Sequence, residues 1–209
     1  MISPTIVRLS IIAVGLNFLS SCACDKDDLP QYRLTEAEQT WTAPYTVNTE
    51  WRFRNAAGYE RVYRVTKRAD DMEESGGGKS SSCPSYYRQA FSATLQRIDS
   101  VGSPISHQLI MQASTNNSSL PFAGSLSWNW VQFTLAIDRV KSGGNIGYNC
   151  ELLPQLTVGT KTYQQVLKST SLTGSALIPL STDAKVIYLT SDAGIIRVEE
   201  WGGTVWDRQ

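Results

Sequence analysis

The chain has 209 residues but only one histidine, His107, and four cysteines, none of them in a Cys-x-x-Cys pair. That scarcity excludes a zinc knuckle and a thioredoxin-like redox motif, and a lone histidine among scattered carboxylates offers no metal-ligand spacing. No metal or other cofactor is expected. No Gly-x-Ser-x-Gly elbow occurs, so His107 lacks a partner for a serine-hydrolase triad and reads as a strand-surface residue without a catalytic role. Neither sign of charge predominates, since 19 lysines and arginines balance 19 aspartates and glutamates. A neutral chain presents no field for a polyanion, which argues against nucleic acid as a partner. No uninterrupted apolar run approaches the roughly 20 residues that a membrane-spanning helix needs. No window of ordinary helical length carries a persuasive 3.6-residue period either.

What is present begins with an abrupt change of character. Ile6 to Leu19 is almost wholly apolar, broken by Arg8 near its start and Asn17 near its end. Its length suits the hydrophobic core of a secretory signal. The run stops at Leu19-Ser20-Ser21-Cys22, a branched apolar residue and two small ones before a cysteine, and this resembles the bacterial lipobox. The resemblance implies cleavage of residues 1–21 as a signal peptide, a diacylglycerol on the Cys22 thiol, and acylation of the freed amine. Small serines let a peptidase approach, and a thiol is the strongest nucleophile available for alkylation. Several acyl chains, at about 0.8 kcal/mol per buried methylene, make a durable membrane anchor. Cys24 is preceded by Ser-Cys-Ala and lacks the apolar residue at the matching place. Asp25, Asp27 and Asp28 follow closely. In lipoproteins of the Bacteroidota phylum, acids just after the lipidated cysteine resemble a signal for export to the outer face of the outer membrane; a solvated tether would have the same composition. The expected location is the outer membrane, lipid-anchored on its periplasmic or cell-surface face.

Once the signal is removed, Cys24, Cys83 and Cys150 remain beyond the anchor in an oxidising compartment. Cys83 and Cys150 are open to pairing as well as to remaining free, and a disulfide between them would stabilise the fold by about 4 kcal/mol in the chain-entropy picture, where geometry allows it. Cys24 is then the odd one left over.

Residues 22–40 read as an acidic tether, in which Thr35-Glu36-Ala37-Glu38 has the form of a capping box and predicts a single helical turn. Residues 41–209 read as one β-rich domain. Glu50-Trp51-Arg52-Phe53-Arg54 alternates, Asn55-Ala56-Ala57-Gly58 supplies turn residues, and Tyr59 to Val65 resumes, which predicts a hairpin. Asp70 to Pro84 reads as a long mobile loop of acids, glycines and serines. Tyr86 to Ile98, Ile105 to Met111 and Trp128 to Ile137 read as strands, the last with Val131, Phe133, Leu135 and Ile137 on one face and Trp128 and Trp130 together on the other. After a glycine-rich turn at Lys141–Gly147, strands are expected on either side of Val158-Gly159-Thr160. Three more are expected at Lys185–Thr190, Gly194–Trp201 and Thr204–Trp206, joined at Ser191-Asp192-Ala193 and Gly202-Gly203. The expected fold class is all-β: about nine or ten strands in an antiparallel sandwich, half-barrel or barrel.

A second resemblance lies in this last part. Thr157-Val158-Gly159-Thr160-Lys161-Thr162-Tyr163-Gln164-Gln165-Val166, then Val186-Ile187-Tyr188-Leu189, then Gly194-Ile195-Ile196-Arg197-Val198-Glu199 is similar to the C-terminal half of many small Bacteroidota lipoproteins. In those, a V-x-G-x-x-Y-x-x-V strand precedes an I-Y-Y, turn, G-(V/I)-(V/I)-(K/R) hairpin. Leu189 stands where a second tyrosine is common. The resemblance implies a class of protein and no particular reaction.

Catalytic groups are hard to assemble. Glu199 and Glu200 are the obvious carboxylate pair, but neighbours on a strand point to opposite faces, and glycosidase chemistry needs two carboxylates facing one cleft. The chain is therefore not expected to be an enzyme. Aromatic residues are the remaining signal, with six tryptophans and nine tyrosines. Trp128 and Trp130 side by side would make a stacking platform for a glycan or line an apolar pocket, or else belong to the core. Trp201 and Trp206 are expected to pack across their hairpin. The leading expectation is a non-catalytic binding module at the cell envelope. The alternatives are a carrier holding an apolar or lipid-like ligand in a curved-sheet cavity, as in the outer-membrane lipoprotein carrier fold, and an envelope hydrolase.

Overall fold

A computed structural model describes residues 29–75, 84–100, 106–113, 124–137, 149–171 and 179–209. The apolar N-terminal run, Cys22, Cys24, the aspartates at 25, 27 and 28, Cys83 and the glycine-rich Lys141–Gly147 stretch lie outside the described residues. The structure is all-β, an antiparallel sheet nearly closed into a barrel. Its strands are β1 (Gln31–Tyr32), β2 (Glu50–Asn55), β3 (Glu60–Ser75), β4 (Tyr86–Arg97), β5 (Ser106–Gln112), β6 (Gly124–Trp128), β7 (Val131–Leu135), β8 (Cys150–Val158), β9 (Lys161–Thr170), β10 (Ala184–Thr190), β11 (Gly194–Glu200) and β12 (Val205–Arg208). They lie in the order β7-β6-β5-β4-β3-β2-β12-β11-β10-β9-β8, with β1 paired parallel to β4. Among the described residues, no helix is long and apolar enough to cross a membrane.

Several turns form as their residues dictate. Gly58, in the left-handed region, closes the β2–β3 hairpin, and the Asn55 side chain accepts the Tyr59 N–H at 2.9 Å. The capping box forms: Thr35 Oγ1 accepts the Glu38 N–H at 3.4 Å and Glu38 Oε2 accepts the Thr35 N–H at 2.6 Å, opening α1 (Glu36–Gln39). This segment is no free tether, because Leu34 and Glu38 are buried and β1 is held in the sheet. Asp70–Ser75, expected in a loop, instead extends β3 and pairs with Tyr86–Phe91 of β4. Ladder pairing there supplies what the polar side chains cannot. Trp128 to Ile137 is not one strand: Asn129 takes a positive φ of 56° and the chain reverses through Asn129-Trp130, so Trp128 pairs with Val131.

The strands roll up because register shifts bend them, between Val65 and Lys67 on β3 and between Tyr188 and Leu189 on β10. At the seam, the Ser169 hydroxyl and the Cys150 thiol both donate to the Thr134 carbonyl of β7, at 2.8 and 2.9 Å. Inside, Phe91, Leu95, Leu109, Met111, Leu126 and Phe133 are at most 1% exposed. Trp41 and Tyr45 join this core from the segment after α1, Tyr45 edge-on to Trp51 and to Phe91 with centroids 5.1 and 6.2 Å apart. A second cluster lies outside it, made of Val158, Tyr163, Val166, Val186, Tyr188 and Ile196. Gln165 has a positive φ of 49° opposite Pro154, which interrupts strand alternation, so Tyr163 and Val166, three residues apart, share this cluster.

Candidate functional site

The antiparallel register sorts the turns between two ends. One end, the rim, carries the β2–β3, β6–β7 and β11–β12 turns, the exit from β4 and the entry to β10. The other, the foot, carries the β8–β9 and β10–β11 turns and the end of β12. Six large apolar side chains stand exposed among the described residues, and five of them are at the rim: Tyr59 (70%), Leu180 (63%), Trp130 (43%), Trp201 (38%) and Ile98 (37%). The sixth, Val47, is elsewhere.

A rigid polar and aromatic layer underlies the rim. His107 is buried, contrary to its expected surface position, because its strand face turns inward. Its ring stacks on Trp128 with centroids 3.7 Å apart and 8° between planes, and Tyr63 lies 5.2 Å from it. His107 Nδ1 accepts the Asn129 N–H at 3.0 Å, so the neutral ring carries its proton on Nε2, which has no partner among the described residues. Burial first, then the Arg61 and Arg97 charges, push its pKa down to about 3. The Arg61 guanidinium lies 3.8 Å over the Trp206 ring and donates to buried Glu200 at 2.6 Å. Arg97 forks onto Asp99 at 2.9 Å through both nitrogens, and Arg54 pairs with Glu60. Arg54, Arg61 and Arg97 at this end are thus each paired with a carboxylate, while Lys185 meets the Trp201 ring.

Trp128 and Trp130 therefore do not share a face. Trp128 belongs to the buried layer and Trp130 to the exposed turn. Trp201 and Trp206 do not pack on each other: Trp206 sits under Arg61, while Trp201 takes Lys185 Nζ at 5.2 Å. Glu199 and Glu200 diverge as alternation requires, Glu199 accepting the Tyr188 hydroxyl at 2.8 Å and Glu200 taking Arg61. Cys150 is a free buried thiol whose other near neighbour is Ser169 Oγ at 3.6 Å; its candidate partner Cys83 lies outside the described residues. Among the described residues no group of three potential ligands could hold a metal ion.

At the foot a cleft of about 410 Å³ opens between the β8–β9 turn, the β10–β11 turn and the end of β12. Its wall includes Lys161, Tyr163, Asp192, Ala193, Arg208 and Gln209. Arg208 lies over the Trp51 ring at 4.5 Å, and its Nη1 donates to the Ala193 carbonyl and, at 3.5 Å, to that of Ile195. Burial holds its pKa below the ordinary guanidinium range. Lys161 Nζ stands 4.5 Å from the Tyr163 ring centroid. Sequence reasoning missed Tyr59, Leu180 and Arg208 as surface groups, since only the register shows which turns meet at one end.

Compared with protein-family models, curated proteins and solved structures, the chain matches none.

Proposed function

We propose that the chain is a lipid-anchored, non-catalytic binding module of the outer membrane that holds a neutral glycan at the rim. The carrying observation is that five of the six large apolar side chains exposed among the described residues stand at this end. Faces of tryptophan and tyrosine match the C–H faces of sugar rings, and rings with two torsions lose little entropy on binding. Three arginines at the same end are paired with carboxylates, which leaves Lys185 beside Trp201 as the cation there without an ion pair among the described residues and favours a ligand without strong negative charge.

The path of the tether supports this orientation. β1 runs parallel to β4 from the foot, with Gln31 beside Tyr87. Nine residues lead from Cys22 to Gln31, a reach of roughly 30 Å fully extended. From Tyr87 to Arg97, where β4 meets the rim, is about 33 Å along the strand. Acylated Cys22 would thus keep the membrane on the foot side, with the rim facing away.

Two measurements test the proposal. The full chain in detergent is expected to be retarded by neutral polysaccharides in affinity electrophoresis, and Tyr59→Ala, Trp130→Ala and Trp201→Ala each to weaken retardation about fivefold or more. A triple variant migrating like the parent would refute the rim as the seat. Cells supplied with labelled fatty acid are expected to label the parent chain and not Cys22→Ala; label persisting in the variant would refute the anchor.

A further inference from the structure

The cleft at the foot has a chemistry opposite to that of the rim. Four other partly buried arginines, Arg61, Arg64, Arg97 and Arg197, each have a carboxylate, Glu200, Glu50, Asp99 and Asp207 respectively, and a fifth, Arg88 on β4, keeps a buried Nε without a partner among the described residues. Arg208 has none within ion-pair distance among the described residues; it is held by backbone carbonyls and the Trp51 face. Those contacts occupy Nη1 and one face of the plane, leaving Nε and Nη2 without a partner among the described residues. Lys161, on the facing wall, likewise forms no ion pair among the described residues; Tyr163 orients it. A desolvated guanidinium whose nearby carboxylate, Asp192, acts on it without forming an ion pair is costly, and an oxyanion bound by the free edge would offset that cost through two parallel charge-assisted bonds.

We propose that this cleft is a binding site for a phosphate-bearing small molecule or headgroup. The phosphate sits on the Nε–Nη2 edge of Arg208, with Lys161 as second cation. The cleft is several times larger than a phosphate, within the range of small-ligand sites. The rest of the ligand lies against Tyr163 and Thr160. Asp192, the one side-chain carboxylate on the wall, opposes a second negative charge and suits an ammonium or hydroxyl there. A free phosphomonoester and a phospholipid headgroup share this chemistry, and the site lies at the end where β1 enters the sheet. The site is independent of the glycan reading and of the anchor.

The test is isothermal titration of the full chain in a phosphorus-free detergent, at constant ionic strength, with inorganic phosphate, glycerol 3-phosphate and glycerophosphoethanolamine. Binding is expected to saturate at one equivalent. Tighter binding of glycerophosphoethanolamine than of glycerol 3-phosphate identifies a headgroup source, and the reverse a free monoester; either supports the site. Arg208→Gln is expected to weaken binding by about tenfold or more, and Lys161→Gln, at an exposed position that leaves folding intact, by a few-fold. Asp192→Asn is expected to tighten inorganic phosphate. No saturable heat with any of the three, or heats unchanged in Lys161→Gln and Arg208→Gln, would overturn the proposal.

Discussion

The two ends of this barrel use the same two kinds of group in inverted roles. At the rim, arginine and carboxylate satisfy one another, Arg61 with Glu200 and Arg97 with Asp99, and Tyr59 and Trp130 are left for solvent, while Trp206 lies under Arg61 and Trp201 meets Lys185. At the foot, the rings are the support, Trp51 beneath Arg208 and Tyr163 beneath Lys161, and the cations are left open. Burial and pairing, not composition, decide which of the two presents itself for binding. A neutral chain with evenly mixed charge can therefore offer one apolar and one cationic surface.

The sharpest way to break this contrast is to remove a ring from each end. Trp51→Ala, at 1% exposure, is expected to cost about 4 kcal/mol in urea unfolding, whereas Trp130→Ala is expected to change stability by less than about 0.5 kcal/mol. Comparable losses would show that the rim ring is structural after all. Removing an acid from each end inverts the test. Glu200→Ala leaves Arg61 desolvated without its partner and is expected to cost about 3 kcal/mol; Asp192→Ala, on an exposed turn, almost nothing.

Acid then sharpens the rim alone. In the unfolded chain His107 takes a proton near pH 6.5, whereas in the fold it stays neutral down to about pH 3. Unfolded molecules thus bind more protons throughout that window, so stability falls as pH falls through it. The expected contribution is a loss of about 2 kcal/mol between pH 7.5 and pH 5. His107→Gln, which keeps an acceptor for Asn129, should flatten that part of the pH profile measured by chemical denaturation. A smaller effect belongs to the foot. Gly194 has a φ of 71°, and a Cβ there would lie 2.9 Å from Trp51 Cη2, so Gly194→Ala is expected to cost about 1–2 kcal/mol and to lower the thermal midpoint.

The strands of the C-terminal half were legible because alternation and turn chemistry agree there. Ser191-Asp192-Ala193 and Gly202-Gly203 fall where β10, β11 and β12 reverse. The β2–β3 hairpin and the capping box at Thr35 were legible for the same local reasons. Trp128 and Trp130 misled because a two-residue turn preserves the apolar period on both sides while reversing the chain: Val131 continues the pattern of Trp128 by pairing with it. Asp70–Ser75 misled because a strand on a projecting hairpin is held by its ladder and needs no apolar face. His107 looked superficial because a single polar residue in a short strand does not reveal which face closes inward. The cleft was invisible for a different reason. Lys161, Asp192 and Arg208 are far apart in sequence, and the sheet order β12-β11-β10-β9 is what makes them neighbours.

The Thr134 carbonyl has a wider consequence. Among the described residues, every other junction between neighbouring strands is a run of amide-to-carbonyl rungs, but this one rests on a serine and a cysteine reaching for the same oxygen. The described sheet, nearly closed, is thus a scroll with a latch. Loosening begins where the roll's two margins meet, so Val131–Leu135 would exchange its amide hydrogens before the strands at the middle of the sheet.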